Sequence, residues 1–291
     1  ADPRLAGHGA LPQDGQPWLP LSELLQTMLE TGRLQLPWLE PTGFSDLRFA
    51  APLPLPAAVT RECRITARSQ SWLLQDGVMT RMCHVRLQSR DLAPNLRRIN
   101  HFSPLARGMV FLAAAAGSLP PLWEGEMTAT GPELPLEDFY ADCGMAEGWR
   151  LVEELVPAGD DLWQGRFDGR VQGIAPAGKS GYCSLLSAVD AILQAACRIM
   201  EDTVPGEEVA GGRLLWPQGW RLSGIGFIRF ADTERLCDAR MPWRIQLRRG
   251  WDDERLQRYD AQVVDADGRV LLTLHQMEFE KDVRPQEGAG A

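Results

Sequence analysis

One helix restricts what this chain can fold into more than any other feature. Residues 184–198 read SLLSAVDAILQAACR, a pattern that predicts a helix from about Ser184 to Met200. The helix is apolar on nearly its whole circumference, which is typical of a helix buried inside a protein. Its polar exceptions share one narrow stripe at i, i+3, i+7 and i+11: Ser187, Asp190, Gln194 and Arg198.

A second, earlier helix is predicted from about Leu21 to Thr31. Pro20 lies where a proline is tolerated at the start of a helix, and Gly32 provides a stop signal. The apolar residues recur at i, i+3, i+4, i+7 and i+8, a stripe that faces a core: Leu21, Leu24, Leu25, Met28 and Leu29.

Each helix is followed by a region with the pattern of β-strands. The first region runs from Leu47 to Ser89 and alternates buried-type with polar residues from Cys83 to Gln88. Each region contains one Asp-Gly step, Asp76-Gly77 or Asp267-Gly268, which favours a hairpin turn. The strands predicted after the second helix are Leu222 to Phe230, Trp243 to Arg248, Ala261 to Val264 and Val270 to Phe279.

The repeated order of one long helix and several strands predicts an α+β protein with weak internal duplication. Two antiparallel sheets, each wrapping a long central helix, would form a double hotdog. We predict a first hotdog over residues 1–115 and a second over 136–283. Residues 116–135, which are small and punctuated by Gly and Pro, are predicted to be a linker, and 284–291 a linker or tail.

Charge and cysteine content exclude several functions. The net charge is -9, which argues against a nucleic-acid surface, so an acidic partner such as a carrier protein would need a local basic patch. No apolar run reaches the length that spans a membrane. The six cysteines are scattered without a CxxC pair, which favours reduced thiols in a cytoplasmic protein over a zinc site or a disulfide framework.

The carboxyl of Asp190 is the strongest candidate for chemistry. An isolated carboxylate in an apolar helix is costly unless it is paired, hydrogen-bonded or protonated. A carboxyl with a raised pKa is what a general acid requires, and Gln194, one turn further on, could hold it in place. In the alternative interpretation, Asp190 faces solvent or pairs with Arg198.

His8 is the second candidate, because it lies in a segment that leads into the first helix. The amides at a helix N-terminus can polarise a thioester carbonyl while a histidine removes an α-proton. In the alternative interpretation, His8 is a surface residue near a chain end.

These residues resemble motifs of polyketide-synthase dehydratase domains. His8, Gly15 and Pro20 are similar to the family's His-x3-Gly-x4-Pro motif, and Asp190 with Gln194 is similar to its Asp-x3-Gln/His motif. The segments FSDLRFAAPLPL (44–55), LWP (215–217) and DADGRVL (265–271) resemble further family segments in the same order. Within the family, the surroundings of His8 resemble iterative synthases of the polyunsaturated-fatty-acid or enediyne type.

The resemblance implies a double hotdog with one active site that dehydrates a β-hydroxyacyl thioester in polyketide or fatty-acid biosynthesis. His8 would remove the α-proton, Asp190 would protonate the departing hydroxyl, and Gln194 would orient Asp190 or that hydroxyl. Gly15 and Pro20 would shape the turn that presents amides to the thioester carbonyl. The resemblance implies no metal and no bound cofactor. The substrate would arrive on the phosphopantetheine of an acyl carrier protein, with the other synthase domains and a second copy of the chain as further partners.

Three departures from the family pattern keep another function open. Six residues separate His8 from Gly15 where the family has three, which implies a bulge. The family's GYGPxF segment appears only as CGMAEGW (143–149), and its His-Pro before the Asp motif is Leu185-Leu186. The alternative is a catalytically silent dehydratase-like scaffold, or a product-template-like domain that binds intermediates.

Residues 173–180, GIAPAGKS, also match the P-loop pattern. That pattern functions only when a buried strand leads directly into it. The preceding residues, WQGRFDGRVQ (163–172), are polar and interrupted by glycine, so a Gly/Ala loop is the favoured interpretation over an NTPase.

Overall fold

A computed structural model describes residues 19–50, 60–75, 77–92, 101–123, 127–167, 182–203, 220–231 and 242–281. Its regular elements follow in chain order: α1 (Leu21–Gln35), β1 (Glu40–Phe49), β2 (Thr60–Gln75), β3 (Val78–Leu92), β4 (Ser103–Ala113), α2 (Glu137–Asp142), a 3₁₀ turn (Glu147–Trp149), β5 (Glu154–Gly159), β6 (Leu162–Phe167), α3 (Tyr182–Thr203), β7 (Trp220–Phe230), β8 (Trp243–Asp252), β9 (Leu256–Val264) and β10 (Val270–Lys281).

The ten strands form one antiparallel sheet in the order β2-β3-β4-β1-β7-β10-β9-β8-β6-β5. The four strands of the first half lie side by side, and the six strands of the second half follow them. The two halves join where β1 pairs with β7, from Gly43 opposite Arg229 to Arg48 opposite Gly224. The double hotdog is confirmed, with the correction that its two sheets are continuous. The boundaries of the two halves remain predictions.

One helix serves each half. α1 packs against β1 to β4, α3 packs against β6, β8 and β9, and the two helices touch each other. Both therefore lie on one face of the sheet, which we call the inner face; the opposite face is the outer face. A single continuous core fills the space between the helices and the inner face.

The first helix extends beyond its predicted end. Gly32 is not a stop, because α1 continues to Gln35. A methyl group added at Gly32 would lie 3.0 Å from Cγ1 of Val110 on β4, so glycine here permits close packing of the helix on the sheet. The predicted turn at Asp267-Gly268 is confirmed, and Gly77, like Gly268, lies between paired strands with a positive φ (78° and 81°). Asp76 lies outside the described residues.

The described residues of the predicted linker lie against the second half of the protein. We use "strap" for residues 114–136, of which 114–123 and 127–136 are described and contain no helix or strand. It crosses the outer face of the second half, where the Leu122 amide donates to Gln262 Oε1 at 2.7 Å. It then runs along β5, where the Leu134 amide donates to the Leu155 carbonyl at 2.8 Å.

In the described ranges, no helix is long and apolar enough to cross a membrane.

Candidate active site

Asp190 lies in the middle of α3 with only 3% of its surface exposed. Its Oδ1 accepts a hydrogen bond from the Leu21 amide at 3.1 Å, and its Oδ2 accepts one from the Ser22 amide at 3.2 Å. The first amides of a helix have no partner inside the helix, and Pro20 has no side chain that could cap α1. A carboxyl of one helix therefore caps the N-terminus of the other.

Two opposing effects set the pKa of Asp190. Burial is the largest cause and raises the pKa, the charge of Glu23 acts in the same direction, and the net pKa is about 6 instead of 3.8. The Ser22 hydroxyl and the amides of Ser22 and Leu21 act in the opposite direction by favouring the ionised form. The Ser22 hydroxyl is buried near the carboxyl, but its geometry falls short of a hydrogen bond. The carboxyl can therefore be protonated under mildly acidic conditions, unlike an ordinary aspartate.

All four polar residues of the α3 stripe are buried, as the pattern predicted. The alternative interpretation, in which Asp190 faces solvent or pairs with Arg198, is wrong. Arg198 instead donates through Nε to the Pro135 carbonyl at 2.9 Å and pairs through Nη1 with Asp202 at 2.6 Å. It thus ties the end of the strap to α3.

Gln194 is held away from Asp190 by three hydrogen bonds of 3.0 Å each. Its Oε1 accepts from the Leu151 amide and the Tyr140 hydroxyl, and its Nε2 donates to the Trp149 carbonyl. The expectation that Gln194 orients Asp190 is corrected accordingly: its bonds go to the chain that leads into β5. Gln194 positions residues 149–151 rather than the acid.

Tyr140 completes this buried network, and nothing in the sequence pointed to it. Its hydroxyl accepts from the Val152 amide at 3.0 Å and lies 3.0 Å from both the Val152 carbonyl and Gln194 Oε1. Since the hydroxyl has one hydrogen, it donates to one of these oxygens at a time. Burial raises the pKa of Tyr140, so the hydroxyl stays neutral. The end of the CGMAEGW segment, at Trp149, is thereby tied to α3.

The other predicted site residues lie at or beyond the start of the described chain. His8 and Gly15 lie outside the described residues, as do the P-loop-like residues 173–180. Pro20 is extended and directly precedes α1, and its carbonyl accepts from the Leu24 amide at 3.2 Å. We expected free amides at the start of this helix to polarise a thioester carbonyl. The amides of Leu21 and Ser22 are not free for this role, because both donate hydrogen bonds to the Asp190 carboxyl.

Two further observations concern parts of the molecule away from Asp190. A cavity of about 400 Å³ lies on the outer face between the strap and the strands, bordered by Phe111, Phe227 and Arg229. Of the predicted site residues that the structure describes, none lines this cavity. In the described ranges, no three His, Cys, Asp or Glu side chains come together in a way that could hold a metal ion.

The comparison with known proteins identifies the fold. No family model matches the chain, and no curated protein matches it. Among solved structures, 152 chains match. They include the dehydratase domain from the CurH module of the curacin polyketide synthase, with a TM-score of 0.62 and 15% identity over 96% of this chain and 88% of that one.

Two other matches have similar values. The dehydratase domain of RzxB from Pseudomonas fluorescens has a TM-score of 0.56 and 14% identity over 91% of this chain and 86% of that one. A bifunctional dehydratase-cyclase domain in ambruticin biosynthesis has a TM-score of 0.58 and 15% identity over 96% and 86%. This chain therefore has the fold of polyketide-synthase dehydratase domains over nearly its whole length.

Proposed function

We propose that this protein is a hydro-lyase that removes water from a β-hydroxyacyl thioester within a polyketide or fatty-acid synthase. The observation that carries the proposal is the Asp190 carboxyl, buried and with its pKa raised to about 6, at the point where the two helices meet. A neutral carboxylic acid in an apolar site can donate a proton to a leaving hydroxyl. The dehydratase fold of the chain supports this reaction over other acid chemistry.

In the proposed reaction His8 removes the α-proton and protonated Asp190 gives its proton to the β-hydroxyl. The C–O bond breaks, the electrons of the α C–H bond form the C=C bond, and water leaves. His8 becomes an imidazolium and Asp190 a carboxylate, so one proton must return from His8 to Asp190 before the next turnover. The Leu21 and Ser22 amides, which already bind Asp190, would stabilise the carboxylate that forms.

The remaining roles are part of the same proposal. Gly15 and Pro20 would shape the turn before α1 that presents an amide to the thioester carbonyl. The acyl chain would be carried on the phosphopantetheine of an acyl carrier protein, with no bound cofactor or metal. The neighbouring synthase domains, a second copy of the chain and a cytoplasmic location complete the proposed setting.

Turnover of a β-hydroxyacyl pantetheine thioester tests the proposal. We expect the wild type to form the α,β-unsaturated thioester, and His8→Ala and Asp190→Asn each to lower kcat/KM at least about 100-fold, since a general acid or base contributes that much or more. Asp202→Asn is the matched control, because Asp202 is an exposed acid on the same helix. Unchanged turnover in the His8 or the Asp190 variant would overturn the assignment of that residue.

A silent, dehydratase-like scaffold remains the second candidate, and one observation favours it. Both oxygens of Asp190 accept backbone amides, and Gln194 is taken up by three structural hydrogen bonds, as expected of a helix cap and a tether. This candidate predicts that the wild type binds β-hydroxyacyl thioesters of several chain lengths without eliminating water from any. Elimination from any of them, lost in Asp190→Asn, would exclude it.

A further inference from the structure

Arginines face one another across the outer face of the first half. On β3, Arg86 is directly opposite Arg107 of β4, and Arg107 is directly opposite Arg48 of β1. Two residues from Arg86 on the same face of β3, His84 is directly opposite Arg68 of β2. Like charges at directly opposite positions of a sheet destabilise it, so this arrangement opposes folding.

The same cations crowd His84. Burial and the charges of Arg86, Arg107 and Arg68 lower the pKa of His84, so its ring tends to stay neutral among them. The three arginines are exposed, while the ring itself is half-buried. A neutral His84 adds no further positive charge to the three arginines, but it also supplies no negative charge to balance them.

Among the described residues, the row formed by Arg48, Arg107 and Arg86 has an acidic partner only at its Arg48 end. Arg48 reaches across Gly224, where a Cβ would lie 2.6 Å from its Nη1, and pairs with Glu278, which also binds Arg258. In the part of the chain that the structure describes, no carboxylate lies within ion-pair distance of Arg68, Arg86 or Arg107. On a chain of net charge -9, this face is a local exception.

We propose that Arg68, Arg86 and Arg107, which we call the arginine face, dock an acidic helical protein. Resting on the proposed function, we assign that partner as the acyl carrier protein. Neighbouring strands lie about 4.8 Å apart, and acidic side chains three or four residues apart on a helix have Cβ atoms about 5 to 6 Å apart. A row of helical carboxylates can therefore meet Arg107 on β4 and Arg86 on β3, and a further carboxylate can meet Arg68, which lies two residues along on β2. A single small anion reaches only part of this set.

Direct binding separates this proposal from the enzymatic one. The probe is a fluorescently labelled holo acyl carrier protein of acidic composition, titrated with the full chain and followed by anisotropy. We expect binding that weakens steeply with salt, and an approximately tenfold or greater loss of affinity in Arg86→Glu/Arg107→Glu. The controls are Arg86→Lys/Arg107→Lys, which keeps the charge, and Arg244→Glu, which reverses an exposed arginine on β8.

Several outcomes would overturn the proposal. They are no binding of the carrier protein by the wild type, equal loss in Arg244→Glu, and tighter binding of an unrelated DNA duplex than of the carrier protein. In the pantetheine assay, which needs no carrier protein, Arg86→Glu/Arg107→Glu should keep wild-type turnover. A wild type that binds the carrier protein but eliminates no water would leave the docking surface standing and overturn only the enzymatic proposal.

Discussion

The two helices hold equivalent places in the two halves, yet their surroundings differ. α1 buries one stripe and leaves Leu34 79% exposed at its C-terminal end, whereas every residue of α3 from 185 to 200 is buried. The side of α3 that would otherwise meet solvent is covered by the strap and by the chain that leads into β5. Within this enclosure, three polar side chains of α3 bind specific partners: Asp190, Gln194 and Arg198.

These contacts divide along the helix axis. Arg198 binds the strap at Pro135, and Gln194 binds residues 149–151. Asp190, closer to the start of the helix, binds the amides of α1. Arg198 and Gln194 thus bind the segments that cover α3. Asp190 joins the two halves through a carboxyl whose pKa is raised. α1 contributes backbone amides in return.

The largest effect is expected from removing the α3 tether at Gln194. Gln194→Leu keeps the size of the side chain but leaves the Leu151 amide and the Trp149 carbonyl buried without these partners. We expect the free energy of unfolding to fall by about 3 to 5 kcal/mol in urea titrations. On α1, Gln26→Leu, which removes only an exposed bond to Glu30, should change it by less than about 1 kcal/mol. Equal effects would contradict the contrast between the helices.

The next effect is a dependence of stability on pH that belongs to Asp190. Because its pKa is about 6 in the folded chain and 3.8 as the ordinary value, the folded state binds the proton more tightly. Relative to Asp190→Asn, the wild type should lose up to about 3 kcal/mol of unfolding free energy as pH rises from about 4 to 7. Urea titrations at several pH values measure this difference, and Asp202→Asn, which keeps Asp190, should retain the trend of the wild type.

A smaller effect is expected at Arg198. Arg198→Met removes the bond to the Pro135 carbonyl and should lower the free energy of unfolding by about 1 to 2 kcal/mol. On α1, Arg33→Met removes only an exposed pair with Glu40 at 3.4 Å and should cost less than about 0.5 kcal/mol. Thermal melts of both variants provide the comparison. A larger loss at Arg33 would reverse the order that burial predicts.

The smallest effect concerns how closely α1 packs on the sheet. Gly32→Ala improves helix propensity by about 1 kcal/mol, but the new methyl group would lie 3.0 Å from Val110 Cγ1 and 3.2 Å from its rigid Cβ. Overpacking costs about 1 to 3 kcal/mol, so we expect a net loss of about 1 kcal/mol. Urea titration of Gly32→Ala combined with Val110→Ala isolates the contact: the alanine at 32 should stabilise the protein when Val110 is already alanine.

The features that could be predicted from the sequence are those that depend on local residue patterns. The burial of Asp190, the two helices and the Asp-Gly turns follow from the spacing of residues close to one another in the chain. The partners of Asp190 lie 168 and 169 residues away, and no spacing shows which amides meet it. Gln194 was predicted to be important for a contact that it does not make, because a buried amide side chain can satisfy several different partners.

Three strands and one helix end were missed for physical reasons. β4 contains Pro104 and Gly108, and the six-residue strands β5 and β6 contain Pro157 and Gly165, all of which weaken a strand pattern. Gly32 is an ordinary stop signal, and only its contact with β4 explains why the helix continues. The arginine face likewise depends on which strands are neighbours, which the sequence did not reveal.

The protonation of Asp190 itself is the most direct test of whether α3 carries an acid or only a cap. The protein can be labelled with ¹³C at its aspartate carboxyls, and the Asp190 signal assigned by its loss in Asp190→Asn. We predict a titration midpoint near pH 6 in the free protein. A midpoint below 4 would mean that the α1 amides hold Asp190 as an ionised cap, and would contradict its assignment as the general acid.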